Sequence, residues 1–456
     1  MTNNVVSESH VHASAGQADE PVVRPRNGLK AKILQWLFDH SEIFLSVLRD
    51  IAPIIVLKKK KIAIVTRYDD VKEVFLADDV FGVPYAEKLN VITGGVPFIL
   101  GMEDSSLYRH KLEMMHQIMP PHDINTRLAP AAEVAAEQIV ADAPNGCMDT
   151  LKLSRDVTFK VFLDYFGVPE PANGNIMLWS TRLFESIFHV GKPEPELDNE
   201  VRVYAPALLA HVEKTIEERK AGREARKASG KEPDDVLGRC LDLQAQGIEG
   251  FSDLEIRGTL AGFIVAGLPQ PPMVLPKVVE QLLRRSKMLA EAQAAARRND
   301  DVTLAKYVFE AMRFDPLAPF LTRIAKREHV LADSTFRSKK IEPGMSVFFL
   351  FASAMMDGRR VPNPKSFNPD RPPNNYILFG YGLHQCFGIQ INKRLLPLML
   401  KPLLKRHGLR RASGPEGHLR KQSVFPDRLT VCFDPDRAVV GSTAPHIEQP
   451  ISHFSS

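Results

Sequence analysis

The segment Phe379-Gly380-Tyr381-Gly382-Leu383-His384-Gln385-Cys386-Phe387-Gly388 sets one cysteine in a glycine-rich turn, and an apolar, helix-like run, Ile389 to Leu404, follows it. This is suitable chemistry for holding a thiolate against a metal. The ligand form of cysteine is the anion, which needs hydrogen bonds and a positive field. Glycines let backbone N–H groups approach the sulfur closely. A helix that starts beside the cysteine turns its positive end toward it. The chain has 27 Gly, 4 Cys and 25 Phe in 456 residues. At those frequencies Phe-x-x-Gly-x-x-x-Cys-x-Gly with the extra Gly380 arises by chance roughly 5 times in 100,000. A merely buried free cysteine is therefore the weaker reading.

On these residues the chain resembles the cytochrome P450 family. The resemblance implies that Cys386 is the proximal ligand of iron in haem b (iron protoporphyrin IX), with Phe379, Gly382 and Gly388 shaping the loop around it. Cysteine ligation pushes electron density onto haem iron and favours O–O cleavage. His384 stands where the family places an Arg or His facing a haem propionate. Arg323, in Phe320-Leu321-Thr322-Arg323, matches a propionate-binding arginine reaching from a strand; a guanidinium suits a carboxylate bidentately.

Glu310 and Arg313 lie three residues apart, so a helix puts them on one face, and Phe367-Asn368-Pro369-Asp370-Arg371 follows downstream. The resemblance makes Glu310, Arg313 and Arg371 a structural network behind the cysteine loop. A carboxylate between two guanidinium forks forms strong charge-assisted bonds.

Two stretches depart from the family. Members usually continue Ala-Gly-x-acid-Thr on a long distal helix. Here Ala266 and Gly267 are followed by Leu268, Pro269, Gln270, Pro271 and Pro272. The acid position is proline and the alcohol position is an amide, which donates hydrogen bonds but relays protons poorly. Prolines remove helix bonds and push their predecessors out of helical angles, so the helix is expected to break here and restart near Pro271 or Pro272. Ala266, Gly267 and Gln270 are the expected catalytic-face residues. The second departure is Asp104-Ser105-Ser106-Leu107-Tyr108-Arg109-His110-Lys111, where Tyr108 holds a position that is histidine in many relatives. Arg109, His110 or Lys111 is expected to take over propionate binding.

The elements around these residues follow from pattern. Ile54–Val56 and Ile62–Val65 read as a hairpin closed by Lys58–Lys61. Tyr68–Phe75 reads as a helix capped by Asp69 or Asp70. The loop from Tyr85 to Leu100 closes one side of a greasy pocket, with Val96, Phe98, Ile264, Leu268 and Phe320 as its expected lining. The fold expected is mainly α with small β-sheets, one large P450-like domain over residues 29–435, with a disordered segment 1–28 and a polar tail 436–456.

The charge balance, 59 basic against 55 acidic residues, does not favour nucleic-acid binding. The basic run Arg219–Lys231 reads as a solvated helix end and loop. Lys393, Arg394, Lys401, Lys405 and Arg406 offer a basic face for an electron donor or a plain solvated face. Cys147, Cys240, Cys386 and Cys432 show neither zinc spacing nor a disulfide framework, which suits the cytoplasm. Residues 1–28 carry no apolar run, and Ile33–Val56 is too polar to span a bilayer. No dinucleotide or phosphate-loop fingerprint is present, so electrons come from a ferredoxin or flavodoxin with a reductase unless peroxide is the oxidant. The expected activity is a monooxygenase acting on a lipophilic small molecule. A peroxygenase or fatty-acid hydroperoxide isomerase, and a non-catalytic haem sensor, are the alternatives.

Overall fold

Two apolar cores organise the chain, one between helices and one under a sheet. They are seen in a computed structural model that describes residues 41–189, 194–422 and 424–434. The expected disordered segment 1–28 and the tail 436–456 lie outside the described residues. We label the site-bearing helices α1 (Tyr68–Leu76), α2 (Ser106–Ile118), α3 (Asp253–Gly267), α4 (Gln270–Leu283), α5 (Asp301–Phe314) and α6 (Ile389–Lys405). The helical core interleaves Leu260 and Ile264 of α3, Val278 of α4, Val308 of α5 and Leu400 of α6.

The smaller core lies under a five-stranded sheet of β1 (Ile54–Leu57), β2 (Ile62–Val65), β3 (Phe81–Gly82), β4 (Leu321–Ala325) and β5 (Ser346–Phe349), in spatial order β1-β2-β5-β4-β3. β2 and β5 run parallel and the other neighbours antiparallel. The expected hairpin is present: β1 and β2 pair from Ile54↔Val65 to Leu57↔Ile62, and Lys58–Lys60 form the exposed turn. Asp69 and Asp70 do not cap α1. Arg67 is the residue before it, and Asp70 is buried against the Arg337 guanidinium at 2.9 Å. An ion pair with a distant loop has outcompeted the local cap.

A second correction concerns the cysteines. Cys147 and Cys432 lie opposite each other on antiparallel strands and are disulfide-bonded. They are 285 residues apart in the chain, so sequence spacing held no sign of the pairing.

α3 starts with a capping box, the Ser252 hydroxyl accepting from the Glu255 N–H and the Glu255 carboxylate accepting from the Ser252 N–H. That satisfies two of the donors a helix start leaves orphaned. The combined span Asp253–Leu283 is long and apolar enough to cross a membrane, yet 78% of its apolar window is buried inside the protein. It is the central core helix. Its glycines admit the neighbouring loop: Val96 packs on Gly258 and the Phe98 ring on Gly262. A Cβ on Gly262 would sit 2.4 Å from the Phe98 ring. Phe98 also meets Phe263 edge-on at 6.0 Å and is itself buried, so the ring has little room to move. Gly262→Ala is therefore expected to destabilise the protein by about 1–3 kcal/mol through overpacking. The urea midpoint should fall with an unchanged slope.

Candidate functional site

The cysteine loop is built by backbone bonds before any side chain acts. The Cys386 N–H donates to the Phe379 carbonyl at 2.9 Å, and the Gln385 N–H donates to Gly382 at 3.1 Å. Gly380 and Gly382 have φ of 71° and 69°, left-handed angles that cost other residues energy. Gly388 precedes α6, and its N–H bonds the Cys386 sulfur. The thiol is solvent-accessible although it lies deep among protein atoms. That desolvation pushes it up, and the Gly388 N–H pulls it down. Binding a metal would deprotonate it outright.

Behind the loop the three expected charges meet. Glu310 and Arg313 are fully buried on α5 and Arg371 nearly so. Arg313 donates to both Glu310 oxygens at 2.9 and 2.8 Å, and Arg371 donates to Oε1 at 3.0 Å. The Asn368 N–H and the Tyr376 hydroxyl complete the set at 2.9 and 3.2 Å. The remaining guanidinium N–H groups fasten the meander between residues 355 and 371: Arg313 to the Met355 carbonyl, and Arg371 to those of Pro362, Asn363 and Ser366.

Arg323 is 2% exposed, lies over the Phe349 ring and donates from Nη1 to the Thr322 carbonyl at 3.1 Å. Its Nε has no hydrogen-bond partner. Burial, with the positive charges of Arg323 and Lys326, pushes His384 down to about 4. Burial raises the nearby Tyr85 hydroxyl, while Arg323 opposes that rise. A buried guanidinium with an orphaned N–H beside a histidine held neutral is a setting that an anionic carboxylate completes. The residues present therefore fit a haem propionate.

Tyr108 is where the departure from the motif is resolved. Its hydroxyl donates to the Leu383 carbonyl at 2.6 Å, and the Leu383 N–H donates to Asp78 at 3.2 Å. Tyr108 thus clamps the cysteine loop itself. The three proposed stand-ins are placed otherwise. Arg109 pairs with Asp104 at 2.5 Å on the surface, His110 is exposed, and buried Lys111 faces Glu255 at 4.0 Å. Neither Asp78 nor Tyr108 carried a signal strong enough to assign that role from sequence.

On the other side, α3 ends at Gly267 and α4 begins at Gln270. The interruption falls where expected, but Leu268 and Pro269 keep right-handed helical angles. Gln270 and Pro271, expected to be pushed out of the helix, lie within it. The Gln270 side-chain amide bonds the Ala266 carbonyl, and both linking and flanking residues are packed in the core. Ile264 and Leu268 are fully buried, so their side chains are core. Phe98 and Val96 lie against α3, while Phe320 packs on Phe348 at 5.6 Å.

The sequence profile described as Cytochrome P450 matches residues 279–428. Over those residues the chain matches the cytochrome P450 family. It is 23% identical over 375 residues to the polyketide biosynthesis cytochrome P450 PksS of Bacillus subtilis, covering 79% of this chain and 86% of that one. It is 27% identical over 197 residues to a bifunctional dioxygenase–epoxy alcohol synthase of Pyricularia oryzae, 42% of this chain but 17% of that much longer protein. In fold it superposes on P450BioI, solved with an acyl carrier protein bearing hexadec-9Z-enoic acid, with a TM-score of 0.71 at 18% identity, over 87% of this chain and 99% of that one. The matched profile and the shared fold support a haem-thiolate monooxygenase with a haem-iron cofactor.

The expected basic faces are largely neutralised. Lys401 is buried between Glu133 and Asp301 at 2.7 and 2.9 Å, and Arg406 pairs with Glu137 at 2.8 Å. Arg219 and Arg223 fold back onto Asp235 and Glu232. Lys393 is exposed on α6.

Glu310→Gln would leave two buried guanidinium groups facing a neutral amide. We expect a loss of about 3–5 kcal/mol together with a lower fraction of haem-loaded protein. Denaturant unfolding and haem content per chain measure the two effects.

Proposed function

We propose that Cys386 ligates the iron of haem b, that Arg323 and His384 hold its propionates, and that the enzyme oxygenates a long-chain, lipophilic substrate. The Cys386 loop carries this reading: a lone accessible thiol with the Gly388 N–H on its sulfur, fixed from behind by Glu310, Arg313 and Arg371. Haem bound there supplies the oxygen-activating chemistry, and the chain supplies the rest. Phe379, Gly382 and Gly388 shape the ligand loop. Ala266, Gly267 and Gln270 face the oxygen-binding side. Val96, Phe98 and Phe320 form apolar walls that select greasy molecules and exclude water. The fatty acyl group on P450BioI's carrier protein supports an acyl substrate.

Proton delivery needs a different route from an acid and an alcohol. Gln270 is tied to the Ala266 carbonyl, and an amide does not release a proton. Prolines at 269, 271 and 272 remove the helical donors for the carbonyls of Val265, Gly267 and Leu268. In our reading those carbonyls hold ordered water that delivers the protons.

Electrons arrive from a ferredoxin or flavodoxin with its reductase. The need for reducing equivalents favours the cytoplasm, whereas the Cys147–Cys432 bond removes the cysteine-based argument for it.

A second reading is favoured by the same Pro269–Gln270 pair together with the similarity to a dioxygenase–epoxy alcohol synthase. It is the use of peroxide or the rearrangement of a fatty hydroperoxide, for which no dioxygen-linked proton relay is required. The ferrous carbonyl complex should show the far red-shifted Soret band of a thiolate ligand, and Cys386→Ala should lose it. A nitrogen-ligated spectrum would end the haem-thiolate reading. Turnover that needs reduced nicotinamide, ferredoxin and reductase supports the monooxygenase. Turnover of a fatty hydroperoxide without reductant transfers the case to the second reading.

A further inference from the structure

A buried lysine that the mechanism does not use lies beneath the wall of the site. Lys277, on α4, is 2% exposed. Its ammonium donates to the Pro316 carbonyl at 2.9 Å and to the Leu317 carbonyl at 3.0 Å. Asp315 Oδ1 is 3.7 Å away, and Asp315 Oδ2 bonds Lys421 at 3.0 Å. Burial, partly offset by Asp315, brings the ammonium down to about 8.

Residues 315–320 join the end of α5, which carries Glu310 and Arg313, to β4, which carries Arg323. The linker has no regular structure and contains Pro316 and Pro319. Besides the Asp315 bond to Lys421, the linker's backbone is tied among the described residues by the Ala352 N–H on the Pro319 carbonyl at 3.2 Å. An ammonium in the interior is expensive, and an apolar side chain of like volume is often neutral or stabilising in its place. A lysine here therefore calls for a geometric reason. Two carbonyls of an irregular segment that must be satisfied supply that reason.

We propose that Lys277 is a specificity-determining positioning residue, whose ammonium fixes the 315–320 linker and thereby the depth at which Phe320 bounds the substrate site. This rests on the proposed role of Phe320 as a wall. Phe320 continues directly into β4 and packs at a tilt of 52° against Phe348 of β5. A linker released from Lys277 can move Phe320 without disturbing the cysteine loop, which is held by Glu310 and Arg371.

The test uses the full-length haem protein and a series of n-alkyl imidazoles of graded length. These ligate the ferric iron directly, so the wall is probed whatever the natural substrate is. Dissociation constants come from the Soret shift. Lys277→Met should keep the thiolate-type carbonyl spectrum while the wild type's preference among chain lengths shrinks by about tenfold, or about 1.4 kcal/mol. A merely structural role would instead weaken all lengths alike or lower haem content. An unchanged preference in a normally loaded Lys277→Met protein overturns the proposal, as does uniform weakening. If Lys277→Met does not fold, Lys277→Gln, which keeps one amide donor, is judged by the same ratio. The same proteins titrated with fatty acids test the substrate reading separately: wild type that binds imidazoles with a length preference but no fatty acid defeats only the acyl assignment.

Discussion

One carboxylate holds the back of the site together. Glu310 is fully buried and receives five donors: three from Arg313 and Arg371, one from the Asn368 backbone and one from Tyr376. A carboxylate has about four lone-pair sites, so nothing on it is left unsatisfied. The two guanidinium groups then spend their outward N–H groups on carbonyls of residues 355–366, a meander with little regular structure. Buried backbone carbonyls must find donors, and a meander has no sheet or helix of its own to provide them. The charge network is thus the meander's substitute for secondary structure. The meander in turn leads into the ligand loop, which is why an ion triad several residues away fixes the cysteine.

The distal helix shows packing overruling local preference. Three prolines within four residues, 269, 271 and 272, argue for a sharp turn. The helix nevertheless continues through Leu268 and Pro269 at helical angles, with Leu268, Pro271 and Pro272 buried. Removing hydrogen bonds and removing the helical path are separate effects. The apolar surroundings enforce the path, while the donors remain missing. The result is a helical path with a broken hydrogen-bond ladder beside Ala266 and Gly267, where an acid and an alcohol would otherwise stand.

The parts that could be read from sequence are those in which chemistry is concentrated in a short stretch. The cysteine loop, the Glu310–Arg313 spacing and the Lys58–Lys61 hairpin each depend on residues within about ten positions of one another. The unread parts are contacts between distant segments. Tyr108 reaches Leu383 across 275 residues and Cys147 reaches Cys432 across 285. Lys277 meets Pro316 across 39. From its neighbours alone Asp70, like Asp69, suits a cap; its partner Arg337 is 267 residues away. The basic residues at the end of α6 likewise find distant partners. Lys401 and Arg406 look like a solvated face until Glu133 and Glu137 are brought against them.

The buried cations also show where a non-protein partner belongs. Arg257 and Arg394, which are only partly buried, and Arg406 each have a buried Nε without a partner, but each places a terminal nitrogen on a carboxylate: Glu213, Asp301 and Glu137. Arg313 and Arg371 share Glu310, and Lys277 has Asp315. Arg323 departs from this pattern. It is almost fully buried, yet its partners are the adjoining Thr322 carbonyl and the Tyr85 hydroxyl, and among the described residues no carboxylate lies within ion-pair distance. Its charge reaches His384 and helps keep that imidazole neutral. An interior guanidinium without a carboxylate is among the costlier arrangements a protein can hold. Its position on β4, in the same region as the cysteine loop, fits the proposed role, in which a propionate of the bound group supplies the missing anion.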